Sequence, residues 1–251
     1  DNGIGMASLG RTVRVLPLRV LGKCGGYDSD IQAAMRWAAG LDVPGVPLNE
    51  HKAAVINLSL GSAGACGSGY PAVIGEVIAA GTAIVASAGN STGHAVGLPA
   101  NCAGVIAVGG LRHAGTKVGF SDLGPEIALS APAGNCINVG ADEPCLYPII
   151  TALNAGTTTP VAGSSAYSDS LNFAVGTSYS APLAAATAAL MLSVQPALPP
   201  ADIRRLLQAS ARPFPNSGGD NGDGTPVPVC RAPDGSDQLQ SYCTTGTCGA
   251  G

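Results

Sequence analysis

The chain has 251 residues, of which only 11% are charged, and a net charge of −4 with no basic run, so nothing in it favours nucleic acid as a partner. No apolar stretch reaches the length of a membrane span, since Ala181 to Val194 is about four turns and is interrupted by Thr187. Low charge together with 36 glycines suits a compact α/β protein with tight turns and closely packed small side chains, large enough for one sizeable core.

In chain order, Val13 to Leu21 is β-branched and Leu-rich and reads as a buried strand, with Pro17 marking an edge or irregularity. Asp28 or Ser29 can cap a helix in which Ile31, Ala34, Met35 and Ala38 recur at helical spacing. The strand Ala53 to Gly61 follows. Ala72, Val73, Val77 and Ile78 mark a second helix that ends near Gly81. Strands then fall at Thr82 to Ala88, Gly104 to Leu111 and Ile127 to Ser130. This alternation predicts a mostly parallel sheet with helices on both faces. Ligands bind such sheets at the carboxyl ends of strands, which places a cleft at Asn57 to Gly61 and Ser87 to Asn90.

Residues 133–174 read as loop-rich, either a wall of that cleft or a solvated insertion. Ser180 to Ser193 is an Ala-rich buried helix. Pro199-Pro200 precedes an amphipathic helix, Ala201 to Ala211, with Ile203, Leu206 and Leu207 on one side. The tail 214–251 is rich in Gly, Pro, Asp and Asn. Its run Asp220-Asn221-Gly222-Asp223-Gly224 lacks the bidentate acid of a calcium loop and reads as a turn.

The eight cysteines form no Cys-x-x-Cys pair and have no histidine at zinc spacing, so disulfides in an oxidising compartment account for them better than metal. Cys136 and Cys145 bracket a short loop and are expected to pair. Cys66 and Cys102 lie just beyond strands that should be neighbours and are also expected to pair. Cys230, Cys243 and Cys248 share the tail and cannot all pair among themselves; Cys24 completes the set or pairs elsewhere.

The stretch Gly176-Thr177-Ser178-Tyr179-Ser180-Ala181-Pro182 opens the Ala-rich helix. A hydroxyl in a first helical turn sits among unpaired N–H groups at the positive end of the dipole, where an oxyanion is stabilised. Alone, the heptapeptide is better read as an ordinary Ser N-cap. Further blocks decide between the two. They are Ala53 to Gly61, Ala83 to Asn90, Gly97-Leu98-Pro99-Ala100 with Gly104 to Gly109, and Phe120-Ser121 with Gly124-Pro125-Glu126. In this order, with the Ser178 block after them, they resemble the subtilisin-like serine proteases from Asp1 to about Pro213 and weakly again from Cys243.

The resemblance implies an α/β, three-layer subtilisin-like fold with a mostly parallel central sheet. It implies a serine endopeptidase acting on polypeptides through an acyl-enzyme on Ser178. Asn90 would donate to the oxyanion. Leu58, Ser59, Leu60 and Gly61 would pair with an extended substrate, and Ser87, Ala88, Gly89 and Gly97 would line the pocket for the P1 side chain. Asn2, Ile4 and Met6 match a structural calcium loop, the alternative being a frayed terminus. No cofactor is expected for catalysis, and the protein is expected to be secreted.

The family's catalytic Asp and His precede the nucleophile, the His in a His-Gly-Thr-His type block, and no such block occurs here. Residues 1–251 are therefore expected to form one partial catalytic domain, truncated at the N-terminus and at the C-terminal helix, inactive alone and partnered by the missing N-terminal segment. His51 and His113 read as surface residues, and His94, just after Asn90, as a possible cleft contact. An α/β-hydrolase is excluded: its Gly-x-Ser-x-Gly elbow would need Gly at Ser180, and no histidine follows Ser178. A non-catalytic peptide-binding or scaffold member of the same fold remains the alternative.

Overall fold

The computed structural model describes residues 9–67, 69–136, 147–168, 174–221 and 224–251. Helix α1 spans Asp28–Ala38 and buries Ile31, Met35 and Ala38 along one stripe. Its N-cap is Tyr27, without a side-chain cap, rather than Asp28 or Ser29. The Asp28 carboxylate instead accepts the Tyr70 hydroxyl at 3.0 Å, and together with Asp30 it faces the positive end of the dipole. Strand β1 is Val55–Leu58. Helix α2, Tyr70–Ala79, enters through Pro71, and the chain turns out of it at Gly81 with φ 85°.

Strands β2 (Ala83–Ser87), β3 (Ile106–Leu111) and β4 (Ile127–Pro132) complete a parallel sheet in the order β1-β2-β3-β4. Every residue of β2 is buried, as a central strand covered on both faces requires. Ile84 and Ala86 pack toward α1 and α2, whereas Ala83 and Val85 pack toward helix α3, Thr177–Val194. Ala181, Ala184, Ala185 and Ala188 are the small buried residues that let α3 lie against all four strands. Helix α4, Pro200–Ser210, buries Ile203 and Leu207 beside it. The predicted α/β layering, helix–sheet–helix, is what the chain adopts.

Three local readings differ from the structure. Val13 to Leu21 is neither buried nor a strand: Val15 is 83% exposed and Val13, Leu16, Leu18 and Leu21 are all exposed. β-branched residues favour strands by packing against neighbours. Among the described residues this segment gains no ladder partner, and only Val20 packs against the core between the sheet and helices α1 and α2. Second, the loop-rich stretch 133–174 contains a short antiparallel hairpin, β5 (Ala152–Asn154) with β6 (Ser165–Tyr167). Its strands of three residues are too short to show alternation. Third, the N-terminal turn of α3 begins at Thr177, before the Ala-rich run.

The tail returns to the sheet. A four-residue helix α5, Thr245–Cys248, leads into Ala250, whose N–H donates to Ala128 O while its carbonyl accepts from Ser130 N at the edge of β4. Lys117 is buried, and its Nζ donates to the carbonyls of Val118, Gly119, Gln238 and Leu239, tying the tail to the turn after β3. Burial pushes its ammonium down to about 8.

The Cys66–Cys102 disulfide is present. Cys243 pairs with Cys248, while Cys24 and Cys230 are free thiols. Cys136 is disulfide-bonded; Cys145, its expected partner, lies outside the described residues, as do Asn2, Ile4 and Met6.

Candidate active site

The strand ends at which the topology predicts a cleft lie side by side. β1 runs into Ser59-Leu60-Gly61 and β2 into Ala88-Gly89-Asn90, side by side at the carboxyl ends of parallel strands. The N-terminus of α3 is directed at both. Gly176, with φ 145°, makes the turn into the helix, a conformation other residues rarely adopt. Its N–H is held by Ala133 O at 2.9 Å.

Ser178 is the second residue of α3 and is half-buried. Its hydroxyl donates to Ser59 O at 3.4 Å. Its own carbonyl accepts the Ser59 hydroxyl at 2.8 Å. In a regular helix that carbonyl would receive the N–H four residues on, but that residue is Pro182 and has none. The proline thus frees an acceptor, and Ser59 takes it up. Two of the cleft residues are thereby brought together.

Asn90 is exposed, with its carboxamide oriented by Thr177. Asn90 Oδ1 accepts the Thr177 N–H at 3.0 Å and the Thr177 hydroxyl at 2.9 Å. With Oδ1 taken, Nδ2 is the free donor, on the same side as the first turn of α3. Ser178 N–H is among the N-terminal helix donors with no intrahelical partner. The two N–H donors flank Gly176, where a Cβ would meet Asn90 Nδ2 at 3.5 Å and Ser178 N at 3.8 Å; paired donors at a helix N-terminus are able to stabilise an oxyanion. The sequence reading missed Thr177 as a site residue; its place directly before Ser178, at a helix N-terminus, was the available signal.

Ser87 and Ala88 are buried and Gly89 half-buried, forming the floor of one wall. Gly97 packs edge-on against the other wall: a Cβ there would collide with Ser62 O. Ser62 and the neighbouring Leu98 exchange two backbone hydrogen bonds of 3.0 Å. The absence of a side chain at Gly97 thus allows a close backbone approach between the two walls.

Among the described residues no histidine hydrogen-bonds to Ser178. His94 Nε2 pairs with Asp237 at 3.0 Å and is partly exposed. His113 is exposed and stacks on Tyr147 with ring centroids 3.7 Å apart, and burial with the neighbouring Arg112 charge pushes its pKa down. His51 is exposed. Two open pockets of about 360 and 300 Å³ lie around Arg19–Asp30 and between Leu18 and Trp37 of α1. Neither is lined by Ser178 or Asn90.

A family model described as the subtilase family matches residues 1–241. The chain is 43% identical over 219 residues to the "Extracellular protease" of Xanthomonas campestris pv. campestris, covering 86% of this chain and 34% of that protein. It is 36% identical over 194 residues to the "Extracellular basic protease" of Dichelobacter nodosus, covering 77% of this chain and 29% of that one. It thus spans about a third of the length of these relatives. A solved structure of proteases from Pseudoalteromonas arctica PAMC 21717 superposes with a TM-score of 0.77 at 35% identity, covering 84% of this chain and 60% of that one.

Proposed function

The chain belongs to the subtilase family, and from that premise we propose that it is the nucleophile-bearing part of a secreted serine endopeptidase. The observation that carries the reading is the trio Asn90, Thr177 and Ser178: a carboxamide oriented by Thr177 and set beside the helix N-terminus that bears the Ser178 hydroxyl. Ser178 Oγ attacks the scissile carbonyl. Its proton passes to a base, the developing oxyanion is received by Asn90 Nδ2 and Ser178 N–H, the C–N bond breaks as the amine leaves with that proton, and water then hydrolyses the acyl-enzyme to the acid and free Ser178. Substrate lies as an extended strand along Leu58 to Gly61, where main-chain pairing gives affinity with little regard to sequence, and its P1 side chain enters beside Ser87 to Gly89 and Gly97.

The hydroxyl needs a base, and none of the three histidines serves. His94 is engaged with Asp237. The base and its orienting carboxylate come from a segment outside residues 1–251. The exposed apolar run Leu9 to Leu21 beside the core is in keeping with a surface that such a segment covers. Residues 1–251 thus form one partial domain with no cofactor in its chemistry; a structural calcium at Asn2, Ile4 and Met6 belongs to the same proposal. The disulfide chemistry and the extracellular relatives support secretion. The absent base also favours, for this chain in isolation, peptide binding without turnover.

The test is peptide-substrate turnover by the purified chain, with and without the family's N-terminal segment added in trans. Turnover in the mixture and silence of the chain alone are expected. Equal turnover by the chain alone would place a working base within residues 1–251.

A further inference from the structure

Asp122 is a buried carboxyl for which the mechanism above has no use. It is 3% exposed, and burying a carboxylate is costly unless its oxygens are satisfied. Its contacts all fall on the residues flanking Asn90. The Asp122 N–H donates to Gly89 O at 3.0 Å. Its Oδ1 accepts the Ser91 N–H at 2.9 Å. Its Oδ2 fills the place where a Cβ on residue 89 would stand, so only glycine fits there.

The loop it grips does not hold its own shape. Gly89, Thr92 and Gly93 have φ of 118°, 62° and 85°, three left-handed residues within five positions. For Thr92, a β-branched residue, that conformation is strained and persists only when surroundings impose it. External anchors do so: Thr92 N–H donates to Phe120 O at 2.9 Å and its carbonyl accepts from Gln238 N at 2.8 Å. Besides Thr177, which bonds Gly89 and Asn90, Asp122 anchors the loop with one grip before Asn90 and one after it.

Resting on the catalytic reading above, we infer that Asp122 is a positioning residue for the reaction. Its carboxylate holds the Ser91 N–H and fills the space over Gly89, whose carbonyl its main-chain N–H holds, so the Asn90 backbone is fixed on both sides while Thr177 fixes the carboxamide. Together the two set where Nδ2 points. A displaced donor is worth far less than one held in place: a misplacement of about 1 Å can cost on the order of 10²-fold, and losing an oxyanion donor costs about 10²–10³ in kcat.

The experiment is a double-mutant cycle on the active enzyme that contains this chain, using a chromogenic peptide substrate and active-site titration to count folded sites. Asn90→Ala is expected to lower kcat by about 10²–10³ with KM little changed. Asp122→Ala is expected to lower kcat by about 10–100-fold. Asp122→Asn, which keeps an acceptor for Ser91 N–H, should restore part of that loss. In the Asn90→Ala background, Asp122→Ala should change kcat less than about twofold, because no donor remains to be positioned. If Asn90→Ala leaves kcat intact, the catalytic reading itself fails. If Asn90→Ala is damaging but Asp122→Ala lowers kcat equally in both backgrounds, or not at all, Asp122 is only structural and the inference fails. Should Asp122→Ala not fold, the same comparison is made with Asp122→Asn, read against the same two outcomes.

Discussion

The hydroxyl of Ser59 donates to the main-chain carbonyl of Ser178 at 2.8 Å, joining the end of β1 to the first turn of α3 across 119 positions of sequence. The bond exists because Pro182 cannot supply the helical N–H that would otherwise occupy that carbonyl. Ser59→Ala should therefore destabilise the fold by about 1 kcal/mol. In a Pro182→Ala background, where residue 182 again donates, most of that loss should vanish. Denaturant midpoints of the four proteins measure both; an undiminished loss in the Pro182→Ala background would show that Ser59 stabilises by some other route.

Thr177 holds Asn90 Oδ1 through both its N–H and its hydroxyl. Thr177→Val removes the hydroxyl and keeps the shape of a fully buried side chain. In the active enzyme it should lower kcat about tenfold, the equivalent of one hydrogen bond of roughly 1.4 kcal/mol. KM should stay nearly constant, since the interaction matters when charge develops on the oxyanion. A rise in KM with kcat unchanged would move Thr177 from the oxyanion site to substrate binding.

The layering was legible because it rests on long, unambiguous patterns. β2 is an uninterrupted buried run, and α3 presents alanines at helical spacing, so strand, helix and their packing follow from local sequence. The cleft followed from topology, since parallel strands must end on one side. The segment Val13 to Leu21 was not legible, because strand propensity records a fit to neighbours and the partner ladder is absent among the described residues. The Asp28 cap failed because its carboxylate serves Tyr70, 42 positions away. The roles of Thr177 and Asp122 likewise depend on contacts 87 and 31 positions distant, which no window of sequence contains.

The Cys66–Cys102 bridge closes a separation of 36 residues between the segment after β1 and the turn before β3. In the chain-entropy picture a loop of that length contributes about 4 kcal/mol. The double variant Cys66→Ser, Cys102→Ser should lower the denaturant midpoint accordingly. Peptide mapping without reduction should link Cys66 to Cys102 and Cys243 to Cys248. Recovery of Cys66 joined to any other cysteine would contradict the fold at that corner.

Burial pushes the Asp122 carboxyl above the ordinary carboxylate range, against the opposing pull of the Ser91 and His94 donors. The folded protein therefore holds that proton more tightly than the unfolded chain. The stability linked to it is fully present below the unfolded pKa. It falls as pH rises through the window between the unfolded value and the raised folded one. Asp122→Asn cannot titrate. As pH rises from about the ordinary aspartate value of 3.9, the wild-type chain should lose stability relative to Asp122→Asn, with the difference level once the folded-state carboxyl has ionised. Urea melts of both proteins at several pH values measure it. A difference that is constant with pH would show that the carboxyl is not held in a desolvated site.

The central claim is that Ser178 is the nucleophile, poised by the α3 N-terminus and Asn90. Fluorophosphonate labelling of the active enzyme, followed by peptide mapping, tests it most directly. The account predicts a single adduct, on the peptide containing Ser178, and no adduct in Ser178→Ala under the same conditions. Labelling of Ser178→Ala at the wild-type rate, or an adduct on Ser59 or Ser180 in the wild-type enzyme, would contradict it.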